Sequence, residues 1–428
     1  MTDPIRLGVA GLGTVGAGTI RLLHRNRAAI AARAGRRVEV TAVCARDRAR
    51  DRGVDLTGLA WEEDAAALAV RDDVDCLVEL IGGAEGPARD AVESALAAGK
   101  PVVTANKALL AVHGAALADL AEANGAPLRY EAAVAGGIPC VKALTEGLAG
   151  NAVTRVMGVM NGTCNYILTR MESAGLPYDD VFAEAAALGY LEADPTLDVG
   201  GIDAAHKLAI LAAAAFGTRP AFDAVEIEGI ERVTIDDIRH AAEMGYRVKL
   251  LGVARQTGRG LEQRMSPCLV PALSPPGQLE GATNMVILEG DAVGQVVLRG
   301  AGAGEGPTAS AVMADVIDVA RGARGPVFGI PAAELAEPVP AAAAAPAAWY
   351  LRLSLADRPG ALAKVAAALG DAGISIDRMR QTEHEGPEAP VLIVTHKCAP
   401  ADVTAAMEAA RASRVLAAEP VALRIEDV

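Results

Sequence analysis

The chain has 428 residues, 40 Lys and Arg against 54 Asp and Glu, a net charge of −14, 52% hydrophobic residues and only 3% aromatic ones. That length is enough for two or three domains with a large core. The negative balance and the scarcity of stacking side chains argue against a nucleic-acid partner. The longest apolar run, about residues 208–216, is too short to cross a bilayer, and no basic stretch leads an apolar segment at the N-terminus. The sequence thus predicts a soluble cytoplasmic protein with no membrane partner.

From residue 5 to about 130, short β-branched runs alternate with longer Ala/Leu stretches, the rhythm of a parallel sheet with crossover helices. Strands are expected at 5–10, 38–43, 75–81, 102–104 and 128–132. From about 134 to 299 the pattern is less regular. Helices at 181–188 and 203–215 are interleaved with strands at 155–160 and 248–253, which reads as an α+β substrate domain. Residues 331–348 are dominated by Pro and Ala and have little to bury, so a semi-rigid linker is expected there. Beyond it come a strand at 349–355, a turn at Asp357-Arg358-Pro359-Gly360, and a helix presenting Leu362, Val365, Ala366 and Leu369 on one face. Strands at 374–376 and 391–395, a helix at about 401–412 and a strand at 421–425 complete a βαββαβ, ferredoxin-like order. The division expected is therefore 1–133, 134–300, a return segment 301–330 closing on the first domain, the linker 331–348 and the module 349–428.

The first strand runs straight into Gly11-Leu12-Gly13-Thr14-Val15-Gly16. A G-x-G-x-x-G between a strand and a helix lets the backbone approach a pyrophosphate, which the free N–H groups of the helix then hold. This points to dinucleotide binding. An acidic residue at the end of the second strand would grip a free 2′-hydroxyl, and an arginine would accept a 2′-phosphate. Here the sequence is Val43-Cys44-Ala45-Arg46, so Arg46 favours NADP over NAD; its bland alternative is one solvated arginine beside Arg48 and Arg50. Thr104-Ala105-Asn106-Lys107 ends the fourth strand, where ligands of an open sheet gather. The densest cluster, residues 189–207, is an acidic loop with Glu192, Asp194 and Asp198, followed by a helix carrying Asp203 and Lys207 four residues apart on one face. Carboxylates suit an ammonium-bearing substrate, and a lysine suits proton exchange with a hydroxyl or carbonyl; an ordinary helix-stabilising pair reads equally well. A second glycine-rich loop, Arg299 onward through Gly304 to Gly306, opens another helix. The histidines lack metal-site spacing, the six cysteines lack close pairing, and no G-x-S-x-G is present, so zinc and serine-hydrolase chemistry are not expected.

Taken together, these blocks resemble homoserine dehydrogenase carrying a C-terminal ACT domain, over nearly the whole chain. The spacing Asp-Pro-x-x-Asp-x-x-Gly-x-Asp-x-x-x-Lys is kept at Asp194, Pro195, Asp198, Gly201, Asp203 and Lys207; Leu191 departs from the family's small residue. Asn161-Gly162-Thr163-Cys164-Asn165-Tyr166 matches a further segment, and Leu353 to Leu362 with Gly373-Ile374-Ser375-Ile376 resembles ACT modules. The resemblance implies an α/β enzyme with a Rossmann-type first domain, an α+β catalytic and dimerisation domain and a regulatory tail. It implies interconversion of L-homoserine and L-aspartate 4-semialdehyde with NADP or NAD. Lys207 would be the proton donor and acceptor, Lys107 a second active-site lysine touching cofactor, and Glu192 and Asp203 the homoserine-binding residues. Cofactor would lie on residues 11–16, Arg46, Lys107, Gly189 and Gly304. A monovalent cation, sodium or potassium, would be held at Glu131, Val134, Gly136 and Ile138, with Glu131 giving a carboxylate or carbonyl oxygen. An amino-acid effector, threonine, and a homodimer or homotetramer are implied as well. The alternatives are another ACT-bearing amino-acid dehydrogenase, a sensor without catalysis, and a tail that serves only for dimerisation.

Overall fold

The computed structural model describes residues 3–191, 194–381 and 386–428. Its first part is a six-stranded sheet of β1 (Ile5–Ala10), β2 (Val38–Cys44), β3 (Ala60–Glu62), β4 (Cys76–Glu79), β5 (Val102–Thr104) and β6 (Leu128–Arg129). The strand order is β3-β2-β1-β4-β5-β6 and every pairing is parallel. The crossovers are α1 (Thr14–Arg25), α2 (Arg27–Ala34), α3 (Ala65–Val70), α4 (Pro87–Ala97) and α5 (Lys107–Ala123). The chain reverses direction across the sheet between β1 and β4, so the crevice at the carboxyl ends of those strands is the switch point at which such sheets bind ligands. The strand expected at 128–132 stops at Arg129. Glu131 turns the backbone there, because its carboxylate accepts the Val141 and Lys142 N–H groups at 2.9 and 2.8 Å and draws Glu131–Ala133 into a 3₁₀ turn. β3 was not expected; three residues on the sheet edge carry too little alternation to read.

The next part begins with α6 (Cys140–Lys142) and β7 (Val153–Val159), followed by α7 (Gly162–Ala174), α8 (Tyr178–Ala187), α9 (Pro195–Val199) and α10 (Ile202–Phe216). After the short β8 (Glu226–Ile227) and α11 (Ile235–Glu243) come β9 (Tyr246–Thr257), β10 (Gly260–Pro271), β11 (Thr283–Gly290) and β12 (Gly294–Ala301). β9 and β10 pair antiparallel along their whole length, well beyond the expected 248–253. The extension contains charged residues that look like loop in sequence, yet Arg255 pairs with Glu262 across the hairpin at 2.9 Å. Helix α10 is buried almost all round, from Asp203 to Ala213, which explains its Ala and Leu content. Finally α12 (Glu305–Ala320) returns to the first sheet. Its Val312, Val316 and Ile317 join Leu7, Val9, Ile20 and Leu23 in one buried cluster, and Glu305 meets Arg21 of α1 at 2.7 Å.

The tail comprises β13 (Ala348–Ala356), α13 (Ala361–Asp371), β14 (Ile376–Gln381), β15 (Glu388–Thr395), α14 (Pro400–Ala412) and β16 (Val421–Ile425). Leu351, Leu353, Val391 and Ile393 face the two helices, while Tyr350, Leu392 and Leu423 face the central core. The tail does not stand apart as a separate sheet. β16 pairs in parallel with β10, Cys268 opposite Arg424 and Leu269 opposite Ile425, so the strands run on as β12-β11-β7-β9-β10-β16-β13-β15-β14. Buried charges cross this seam: Glu426 accepts from Arg264 and, at 3.0 Å, from Arg424. Residues 331–348 lie along the same region, with Leu335 buried, Ala336 bridged to Thr218 and Pro340 to Leu261. Among the described residues no helix is long and apolar enough to cross a membrane, and all six cysteines are free and buried.

Candidate active site

One end of the site is the β1–α1 turn. Gly11 has φ +97°, and a Cβ there would stand 2.5 Å from the Leu80 carbonyl oxygen of the neighbouring loop, so no side chain fits. Gly13 caps α1 without any side-chain bond, and the first turn of the helix carries no acidic residue. The Gly11 N–H is bonded to the Cys44 carbonyl at 2.9 Å, but a Cβ at Gly13 would meet nothing within 4 Å, so the helix N-terminus there offers its N–H groups and open space to a pyrophosphate, a cradle that fits a dinucleotide. Arg46, two residues past β2, is exposed and makes no ion pair among the described residues. The acid next to it in sequence, Asp47, accepts the N–H groups of Ala49 and Arg50 through Oδ1 at 2.9 and 3.2 Å.

From that turn a cleft of about 560 Å³ runs to the second sheet. Val15, Ile81, Lys107, Gly189 and Gly304 line it on the way, and Asp203 and Lys207 line its far end. Asp203 and Lys207 project one turn apart from α10, because Gly201 in the left-handed region starts the helix there. The Lys207 Nζ donates to Asp203 Oδ2 at 2.6 Å and to the Met160 carbonyl at 2.9 Å, where β7 ends. Two of its three donors are thus taken, and the side chain lines the cleft. Lys107, at the first turn of α5, meets Asp203 Oδ1 at 3.0 Å. Burial would raise the Asp203 carboxyl, but Lys207 and Lys107, by charge and hydrogen bond, hold it well below the usual carboxylate range. Asn161, just beyond β7, ties the acids together: its Nδ2 donates to Asp198 Oδ1 at 2.9 Å and to Asp203 Oδ2 at 3.3 Å. The structure therefore brings Lys107, Asp203, Lys207, Gly189, Gly304 and the glycine turn around one cavity. Glu192 lies outside the described residues.

The loop after Glu131 is the remaining element. Both carboxylate oxygens of Glu131 are committed to the start of α6, and burial, opposed by those N–H donors, pushes its carboxyl up to about 7. What the loop has to offer a cation is carbonyl oxygen: Glu131 O accepts only Val134 N–H, at 3.3 Å, and Ile138 O accepts Cys140 N–H at 2.8 Å. Each keeps a second lone pair, so an oxygen-seeking alkali ion fits, while a cluster of three His, Cys, Asp or Glu is absent among the described residues. A buried ion pair secures the loop to α12, with Lys142 3.1 Å from Asp315, whose other oxygen accepts Glu131 N–H at 2.8 Å.

Three contributors were not singled out from sequence: Asn161 as an individual ligand of the acids, Asn284 and Glu79. Asn284 lines the cleft, 2% exposed, pressed so closely on Gly302 that a Cβ there would lie 1.9 Å from its Nδ2. A lone Asn inside a strand leaves no mark beyond a break in the apolar run.

Comparison with known proteins gives the family. The homoserine dehydrogenase family model matches residues 139–317, the model of that enzyme's NAD-binding domain matches 11–131, and the ACT domain matches 349–414. The homoserine dehydrogenase of Pseudomonas aeruginosa is 43% identical over 99% of both chains, and that of Bacillus subtilis is 36% identical over 93% of both. The crystal structure of the Thiobacillus denitrificans homoserine dehydrogenase superposes with a TM-score of 0.94, at 43% identity over 99% of each chain. The Staphylococcus aureus enzyme superposes at 0.78, with 28% identity over both whole chains. With a glycine turn, a Lys–Asp–Lys cluster lining one cleft and relatives at this identity along its full length, the chain belongs to the homoserine dehydrogenase family, NAD(P)-dependent oxidoreductases, and carries an ACT domain at its C-terminus.

Proposed function

We propose that Lys207 is the acid–base group for the interconversion of L-homoserine and L-aspartate 4-semialdehyde. The observation that carries this is the buried ammonium held by Asp203 and the Met160 carbonyl on the wall of the cleft, with one donor left over. A bound nicotinamide supplies the hydride acceptor or donor. In oxidation, Lys207 in its neutral form takes the hydroxyl proton as the C4–H leaves with its electron pair; in reduction it returns the proton to the carbonyl oxygen. Asp203 keeps the lysine in place, Lys107 orients the same substrate oxygen, and Glu192 and Asp203 receive the polar end of the amino acid. An ordinary lysine is protonated near neutrality, so reduction of the aldehyde is the direction favoured there, and oxidation of homoserine calls for alkaline pH.

The dinucleotide lies along residues 11–16, Arg46, Lys107, Gly189 and Gly304, and NADP is preferred. Support comes from the unpaired Arg46, from the engaged Asp47, and from a hyperthermophilic archaeal homoserine dehydrogenase solved in complex with NADPH, 27% identical over 74% of this chain with a TM-score of 0.62. Sodium or potassium sits on the carbonyls of Glu131, Val134, Gly136 and Ile138. The domains divide near 133, 300, 330 and 348. The ACT module takes an amino-acid effector, threonine, and the exposed Val293 and Val297 at the β12 edge suit pairing into a homodimer or homotetramer. The test is homoserine-dependent reduction of NADP at alkaline pH, with and without threonine, for the wild type and Lys207→Ala. A loss of about 10²–10⁴ in kcat with cofactor binding retained is expected; full activity in the variant would remove Lys207 from the reaction.

A further inference from the structure

Glu79, the last residue of β4, is fully buried. Its Oε1 accepts the N–H groups of Ile81 and Gly82 at 2.7 and 3.1 Å, and its Oε2 accepts the Thr104 hydroxyl at 2.5 Å. Thr104 Oγ1 already accepts the Asn106 N–H at 3.0 Å, which leaves the hydroxyl proton for Glu79. Asn106 completes the tie: its Nδ2 donates to Gly83 O at 2.7 Å, and its Oδ1 caps α5 at Leu109 N–H, 3.1 Å, one residue after itself placing Lys107. Every contact of Glu79 is thus a donor pointing at a carboxylate, and no Lys, Arg or His among the described residues forms an ion pair with it. Neutral side chains tie loops together routinely, whereas a buried charge without a counter-ion is costly and calls for a reason.

Its position supplies one. Ile81, Gly82 and Asn106, the residues Glu79 holds directly or through Thr104, line the cleft between the glycine turn and Lys207. A dinucleotide with its pyrophosphate on that turn and its reacting ring beside Lys207 must lay the ring along this stretch. The oxidised nicotinamide is a cation and the reduced one is neutral, and at the same end of the cleft the ammonium groups of Lys107 and Lys207 are matched by Asp203 between them and Asp198 beside it, which leaves Glu79 as the acid without a counter-ion among the described residues. We propose that Glu79 is a positioning residue whose buried charge also sets the redox preference of the site, favouring the oxidised over the reduced dinucleotide. This rests on the dinucleotide site proposed above.

The test reads binding, not turnover. Dissociation constants for NADP⁺ and NADPH are measured separately by calorimetry, without homoserine, for the wild type, Glu79→Gln and Glu79→Asp, each checked by thermal melting. Gln keeps the shape and can still accept from Ile81 and Gly82. One charge acting over about 10 Å at an effective dielectric of about 20 predicts that Glu79→Gln weakens NADP⁺ about tenfold relative to NADPH. Glu79→Asp, which keeps the charge, retains the wild-type ratio. Equal weakening of both forms, or an unchanged ratio in Glu79→Gln, overturns the proposal and leaves a purely structural tie. If Glu79→Gln does not fold, Glu79→Asn beside Glu79→Asp decides by the same reading. The neutral variant must weaken NADP⁺ relative to NADPH while the charged one retains the wild-type ratio, and an equal ratio in the two overturns the proposal. A wild type that binds neither form overturns the dinucleotide site itself, and this proposal with it.

Discussion

Lys249 lies in the middle of β9, 2% exposed, and its ammonium donates to Asn165 Oδ1 at 2.9 Å and to the Leu279 carbonyl. Burial, with Arg247 adding repulsion, pushes its pKa from 10.5 down to about 8. Between those two values the unfolded chain carries a proton that the folded chain has lost, so stability rises with pH across that window and is lost again as pH falls through about 8. At about 1.4 kcal/mol per pH unit the window is worth about 3 kcal/mol. Lys249→Met keeps the length of the side chain and removes its titration. Near pH 7 the two proteins should lie within about 2 kcal/mol of each other, because the variant sheds a buried charge yet leaves Asn165 Oδ1 and the Leu279 carbonyl without a donor. At pH 10.5 the wild type should have gained about 3 kcal/mol on the variant. Urea unfolding of both proteins at several pH values from 7 to 10.5 measures this, and parallel pH profiles would show that the buried ammonium is not what carries the effect.

Arg46→Glu should lower the preference for NADP over NAD, read as the ratio of kcat/KM values, by roughly tenfold or more, since the charge facing a 2′-phosphate is reversed; an unchanged ratio would make Arg46 a bystander. Asp315→Ala removes one of the two carboxylates on Lys142, which keeps Asp318, and leaves the buried Glu131 N–H without its acceptor, and should cost about 1–3 kcal/mol in denaturant unfolding. Gly302→Ala forces a methyl group onto Asn284 and should depress both melting temperature and NADP affinity. Gly306→Ala, where a Cβ meets nothing within 4 Å, should leave NADP affinity as it is; equal behaviour of the two variants would dismiss the close contact.

The parts legible in sequence were those with periodicity or punctuation. Gly11 to Gly16 behind an apolar strand, and Asp203 with Lys207 one helical turn apart, state their geometry in their spacing. The acid-rich loop at Asp194 to Asp198 showed that a polar site was near, although nothing in it showed that Asn161, more than thirty residues upstream, would link Asp198 to Asp203. The committed carboxylate of Glu131 was illegible, because its partners are backbone N–H groups ten residues on, which every sequence possesses. The full length of β9, expected only at 248–253, and the whole of β10, which was not expected, were hidden for a related reason. A half-buried Arg255 looks like a solvated one until Glu262 across the hairpin is known, and the buried Arg264 does so until Glu426 of the tail is. Glu79 was hidden in the same way, as an ordinary strand-end residue whose three donors belong to two different loops.

The seam between β10 and β16 has one further consequence. Cutting the chain before residue 348 would lay that seam open. It would strip the ladder from Cys268 and Leu269, leave Arg264 without Glu426, and open a raw strand edge that recruits other chains. Because the tail is stitched into the same hydrogen-bonded fabric, any distortion of β16 is loaded directly onto β10, then β9 and β7. That series of strands ends at the Met160 carbonyl, which grips Lys207. The tail and the proton-transfer lysine are thus mechanically in series, with no slack hinge between them.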